Sequence, residues 1–240
     1  MISFKLNRLI PIIVLALITL FIAYYSIKSI RANAWYFNAR NTLEQLSSPI
    51  KRSELKQAEK AITLAAKFEP SHPHYWHLNA YIKILSVSIL NQPTVINAPT
   101  HQHAYKQAEQ ALLKSIELRQ TWAETWIALA QVVSYQDGPT EQVYDYIQQA
   151  KKVGPYKLDV HLGIIQIALI HWSQLTPQYK ALYVNELKLA VKYGYKFNQV
   201  FDIAKQSNSL PILCLSLQFG GDFDSVRKSY IFKKHCGSGK

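Results

Sequence analysis

The side chains here that could do chemistry are a set of histidines, two cysteines and scattered carboxylates. His72, His74 and His77 crowd one predicted turn, and His101 and His103 follow in a polar stretch. Such groups suggest zinc, but catalytic zinc takes three protein ligands and further carboxylates that fix their tautomers. The chain has no HExxH, no carboxylate obviously placed nearby, and Pro73 stiffens the first group, so these read as solvated loop histidines. If the body lies outside the cytoplasm, Cys214 and Cys236 could form one disulfide tying a basic tail to the last apolar helix. Otherwise Cys214 packs within an Ile-Leu-rich helix and Cys236 stays free. A glycan-cleaving site needs two carboxylates on facing elements, whereas Glu109, Glu117, Glu124 and Glu141 fall on predicted outer faces or helix starts. Gly237-Ser238-Gly239-Lys240 resembles the end of a phosphate loop but lacks the preceding strand and a following helix. No catalytic, cofactor-binding or metal-ligating residue is nominated.

The elements that would position these groups are helices. Apolar residues make up 49% of the 240-residue chain, recur at helical spacing and almost never alternate at period two. From Leu9 to Ile27 no charge occurs, and nineteen helical residues rise roughly 28 Å, close to the hydrocarbon thickness of a bilayer. Pro11 falls in the first turn, where its missing N–H costs little, and Tyr24, Tyr25, Trp35, Tyr36 and Phe37 resemble an interfacial aromatic belt. The rival is a signal peptide cleaved after Ala32-Asn33-Ala34, but the apolar stretch is long for one and is followed by Lys28 and Arg31. Lys5 and Arg8 balance Lys28, Arg31 and Arg40, so charge alone leaves orientation open; a short internal tail and an external body is the default.

The net charge is +12, and without Lys5, Arg8, Lys28 and Arg31 about +8 remains, scattered along helical faces. No helix-turn-helix, zinc finger or aromatic RNA-binding run accompanies it, which argues against nucleic acid and for anionic headgroups or an acidic glycan.

Four related helix pairs follow. The clearest sets Tyr105, Ala108, Ala111, Leu112, Ser115 and Ile116 on one face, then Trp122, Trp126, Leu129, Ala130 and Val133 on the next. An earlier copy has Leu55, Ala58, Ala61, Ile62 and Ala65, a turn at Phe68-Glu69-Pro70, then Trp76, Ala80, Ile84 and Val87. A third runs Val143, Ile147 and Ala150, turns at Val153-Gly154-Pro155, and continues with His161, Ile164, Ile165, Ala168, Leu169 and Trp172. A weaker fourth has Tyr183, Leu187, Ala190 and Val191, then Val200, Phe201 and Ala204. The interval of about 35 residues between the second and third is near the tetratricopeptide period. The expected fold is all-α: antiparallel helix pairs stacked as a degenerate tetratricopeptide-like solenoid after one N-terminal transmembrane helix. The expected divisions are an anchor over 1–31, a repeat body over 32–220 with an inserted loop over 91–103, and a frayed basic tail over 221–240. Trp76, Trp122 and Trp126 are expected in the core, Trp126 buried between neighbouring repeats. Tyr75, Tyr105, Tyr135, Tyr144, Tyr146 and Tyr156 are expected to bury their rings at junctions while their hydroxyls reach water.

The segment Leu118-Arg119-Gln120-Thr121-Trp122-Ala123-Glu124-Thr125-Trp126-Ile127-Ala128-Leu129-Ala130, after an Ala-rich helix and an anchor, resembles the VpsP-type polysaccharide biosynthesis proteins. These are small membrane-anchored helical-repeat proteins of bacterial exopolysaccharide gene clusters. Family segments place proline after the arginine, where this chain has Gln120. The resemblance implies an accessory role in making or exporting a surface polysaccharide, with the body facing the periplasm from the inner membrane. It implies as partners the proteins of a polysaccharide assembly system, with glycan as a further ligand, and it transfers no catalytic residue. Competing expectations are a chaperone-like envelope assembly factor of the same architecture and an envelope glycan hydrolase or transferase.

Leu17→Arg should block insertion or release the protein from carbonate-washed membranes, since a central charge costs about 2.5 to 3.5 kcal/mol. Unchanged carbonate resistance would refute the anchor.

Overall fold

A computed structural model describes residues 2–46, 50–90 and 98–237, and among these no strand occurs. Two compact units divide at Asn97 and Ala98. The expected boundary at residue 31 falls within one continuous helix.

The first unit holds α1 (Ile2–Glu44), α2 (Arg52–Phe68) and α3 (Pro73–Leu90). Between Ile10 and Ile27, α1 exposes its large apolar side chains, Leu20 to 67%, and it is long and apolar enough to cross a membrane. Beyond Lys28 the same helix becomes a core element. Ala32 and Ala39 are fully buried against Ala58, Ala61, Ile62 and Ala65 of α2, with Tyr36 and Leu43 alongside. Small residues on both helices allow this close approach, where bulkier ones would hold the backbones apart. Polar contacts fix the register. The Tyr75 hydroxyl donates to Asn33 Oδ1 (3.0 Å) with Glu69 Oε2 at 3.4 Å, and Ser29 Oγ donates to Glu69 Oε2 (3.1 Å). Arg31 lies over the Phe68 ring at 4.4 Å. Burial, then the Glu69 charge, push the Tyr75 phenol up to about 12. Tyr75 is fully buried, so its hydroxyl meets α1 where water was expected.

The second unit contains α4 (Ala98–Leu118), α5 (Ala123–Asp137), α6 (Glu141–Val153), α7 (Leu158–Ile170), α8 (Pro177–Val191), α9 (Asn198–Gln206), α10 (Leu210–Gln218), α11 (Asp224–Lys228) and α12 (Tyr230–Cys236). The expected loop over 91–103 is corrected in part: Ala98–His103 form the start of α4, where Pro99 needs no intrahelical donor, and 91–97 lie outside the described residues. The packed pairs follow the apolar stripes. Residues 58, 61, 62, 65 and 66 of α2 are buried, and so are 108, 111, 112, 115 and 116 of α4. Each first helix meets its partner through this stripe.

The tryptophans depart from expectation. Trp126 is only half-buried: its indole N–H donates to the Gln120 carbonyl (2.8 Å), and Trp76 does the same to Pro70 (2.7 Å). A ring that must reach the inter-helix turn cannot also sit at the centre of the core. Its removal therefore loses a turn clamp and part of the packing.

Helix α7 is the centre of the second unit. It is apolar on nearly every face and too short to span a bilayer, and it packs on α5, α6, α8 and α9. Gly163 permits the α5 contact, since a Cβ there would lie 2.3 Å from Ile127 Cγ1. Thr140 and Thr176 cap α6 and α8, accepting from Val143 N and Tyr179 N, each at 3.4 Å. Helices α8 and α9 each pack on α7, with the Gly194–Phe197 turn between them.

The expected frayed tail is corrected through residue 237. Gly220, at φ 88°, turns the chain into a 3-10 segment that buries Phe223 and leads to α11, where Val226 is buried. Arg227 Nη1 donates to the Leu217 carbonyl (2.9 Å), and a disulfide joins Cys214 of α10 to Cys236 of α12, Cα atoms 5.3 Å apart. The bridge and a small apolar core hold what composition alone suggested was loose. Residues 238–240 of the phosphate-loop-like end lie outside the described residues.

Gly163→Ala should lower unfolding stability by about 1 to 3 kcal/mol in urea titration, because Ile127 and α5 must give way. Gly221→Ala, with open space around the site, should change it far less.

Candidate functional site

The residues that combine burial with ionisable chemistry meet on α6, α7 and α8. His161 occupies on α7 the place that Trp126 holds one interval earlier, but its ring is 2% exposed. Glu186 interrupts the apolar stripe of α8 formed by Leu182, Tyr183, Leu187 and Ala190, and it is fully buried. His161 Nδ1 lies 2.5 Å from Glu186 Oε2, and Lys151 Nζ, from the last turn of α6, lies 2.8 Å from Glu186 Oε1. Tyr193 sets its ring 5.8 Å from the imidazole and donates its hydroxyl to the Tyr156 carbonyl. Burial opposes the charge on Glu186, yet the hydrogen bonds from His161 and Lys151 and the Lys151 charge outweigh it and hold the carboxyl below its usual range.

An imidazole held by a carboxylate is the arrangement that orients a general base. Here both groups are buried, His161 2% exposed and Glu186 fully enclosed, so neither is open to a substrate atom. What this constellation can do is join three helices. A buried ion pair stabilises little against an apolar substitute, but losing one partner leaves the other buried and uncompensated.

Two shallow clefts of the second unit offer polar groups to solvent. One, about 480 Å³, is lined by Gln102, His103, Lys106, Glu109 and Gln136. The other, about 300 Å³, lies among Gln166, Ile170, Ile203, Gln206, Ser207 and Asn208. Near them, Gln131 Nε2 donates to Gln166 Oε1 (2.7 Å) and Gln166 Nε2 donates to the Tyr135 hydroxyl (3.0 Å). These amide-lined surfaces suit binding through hydrogen bonds.

Of the histidines noted in the sequence, His72 and His74 approach each other, ring centroids 5.4 Å apart. His72, half-buried in the α2–α3 connection, stacks on Tyr75 with centroids 4.2 Å apart, and its Nδ1 is buried. His74 and His77 lie on the first turns of α3, while His101 and His103 lie on α4. Among the described residues no three His, Cys, Asp or Glu side chains are grouped as metal ligands. Glu109 accepts from Gln136, and Glu124 pairs with Lys157 at 2.8 Å. The tyrosines divide: Tyr105 and Tyr135 pair at 5.4 Å, whereas Tyr156 is 84% exposed, against the expectation that it packs at a junction. Sequence reasoning passed over Glu186. The available signal was a carboxylate at i+3 from Tyr183 within an apolar stripe, a position that demands a partner.

No known protein-family model matches this chain, and neither does any curated protein.

Glu186→Ala should cost about 3 to 5 kcal/mol, because Lys151 loses its counter-charge and the buried His161 ring its hydrogen-bond partner. The pH response has a definite sign. Since the folded pKa of Glu186 lies below its ordinary 4.5, its stabilisation is complete above that value and is lost as pH falls through the folded pKa. Burial also lowers His171 below 6.5, so the fold disfavours its charged form and stability is lost as pH falls below 6.5. Urea midpoints measured below pH 5 should fall more steeply for the wild type than for Glu186→Gln, and parallel curves would refute the assignment.

Proposed function

We propose that this chain is a non-catalytic membrane-anchored helical scaffold that serves assembly or export of a bacterial surface polysaccharide. The observation that carries the anchoring is the continuity of α1, which exposes an apolar segment at one end and forms the core of the first unit at the other. Cleavage after Ala34 would remove Ser29, Arg31, Ala32 and Asn33 from contacts that hold α2 and α3, which favours a retained anchor. The Cys214–Cys236 bridge favours an oxidising compartment for the second unit, as in the periplasm. The sealed His161–Glu186 pair and the open polar clefts favour binding over catalysis. The polysaccharide role rests on the resemblance of residues 118–130, read as one of several tetratricopeptide-like repeats.

Deletion of the gene should reduce surface polysaccharide, and the full-length protein should restore it. The sequence suggests a soluble body from about residue 47, but the packing of Ala32 and Ala39 moves its start to Lys28. That soluble form should capture proteins of the assembly machinery yet fail to restore the deletion strain, because confinement to the membrane raises effective concentration. Full restoration by the soluble form, or glycan turnover by the purified protein, would overturn the proposal.

A further inference from the structure

The end of the second unit carries charge that its own acids do not neutralise. Asp202, Asp222 and Asp224 each pair within the module, with Lys205, Lys188 and Arg227. Lys192, Lys196, Lys228, Lys233 and Lys234 are exposed, and none has an acidic partner among the described residues. Large apolar groups share the module: Tyr195 is 80% exposed, Tyr230 78%, Phe219 66% and Leu215 61%. Apolar and aromatic residues of the module line one cleft of about 190 Å³, among them Val191, Tyr195, Phe197, Val226 and Ile231. Lys192 and Lys196 adjoin this lining on one side in sequence, and Lys228 and Tyr230 adjoin it on the other, with Lys234 Nζ 6.0 Å from the Tyr230 ring.

We infer that this basic and aromatic surface is a second membrane contact, which docks on a bilayer bearing anionic headgroups. Uncompensated lysines are attracted to such a surface, and exposed tyrosine, phenylalanine and leucine side chains find the headgroup and acyl boundary more favourable than water. Proximity to the bilayer through α1, with the exposed Tyr195 and Tyr230 rings beside Lys196 and Lys234, selects lipid over a soluble acidic glycan. The disulfide and the Arg227–Leu217 bond hold α10, α11 and α12 together, which presents the surface as one piece. Attachment through α1, proposed above, gives the surface proximity to the bilayer but supplies none of its residues. A transmembrane anchor with a basic patch is a two-point attachment that confines the second unit as well as the first.

Hydrogen exchange read by mass spectrometry tests this on the full chain in lipid nanodiscs. Segments 192–198 and 225–237 should exchange at least about fivefold more slowly when phosphatidylglycerol is added to phosphatidylcholine discs, and high salt should remove the difference. Lys192→Glu/Lys196→Glu/Lys228→Glu should abolish the protection while retaining the wild-type helical circular dichroism. Tyr195→Ser/Tyr230→Ser should weaken it at unchanged charge. Equal exchange in both discs overturns the inference, as does protection by soluble polyglutamate without any effect of phosphatidylglycerol. Full retention in the tyrosine variant would leave only diffuse counter-charge, and the docking surface would be wrong. A chain that enters neither disc contradicts the α1 anchor instead. Flotation of that same chain with phosphatidylglycerol vesicles, present or absent, then decides the surface.

Discussion

Helix α1 carries two unlike surfaces along one unbroken backbone. From Ile10 to Ile27 its apolar side chains have no protein against them, and water is an unfavourable home for such a surface. A few residues later the same helix supplies Ala32 and Ala39 to a close-packed interface. The first unit therefore has no complete core without the segment that follows the apolar stretch. The polar contacts of Ser29, Asn33, Glu69 and Tyr75 sit where the helix passes from one environment to the other. They fix rotation and register, which small alanines alone specify weakly.

The second unit solves a different problem. Its central helix α7 is nearly all apolar and must be enclosed, and Gly163 lets α5 come close enough to do so. Enclosure leaves His161 without water, and Glu186 with Lys151 supplies the polar partners that burial demands. The cluster resembles catalytic hardware by residue type, but its sealing gives it a structural role. At the far end of the unit a short apolar core and one disulfide organise helices too small to persist alone.

The proposed binding and anchoring roles draw on the same construction. Stacked helix pairs bury one face of each element and leave polar faces such as those of Gln131, Gln136 and Gln166 at the surface. The free lysines and aromatic rings of the last helices add a surface of contrasting chemistry. A long apolar helix, amide-lined clefts and a basic aromatic end are the features on which the proposed scaffold and membrane-contact roles rest.

Local patterns in the sequence determined the helical class, the apolar span, the turns at Phe68-Glu69-Pro70 and Val153-Gly154-Pro155, and the stripe residues of the paired helices. Those features follow from spacing within one or two turns of chain, so they are legible before folding. Tertiary structure decided the partner of His161, which is Glu186 on the following helix, and the union of Cys214 with Cys236. It also placed Ala32 and Ala39 of α1 in the core of the first unit, lifted Trp126 partly out of the core toward the Gln120 carbonyl, and ordered the tail through residue 237. The physical reason is that periodicity states which face of a helix is buried, while the identity of what buries it depends on chain segments brought together only by the fold.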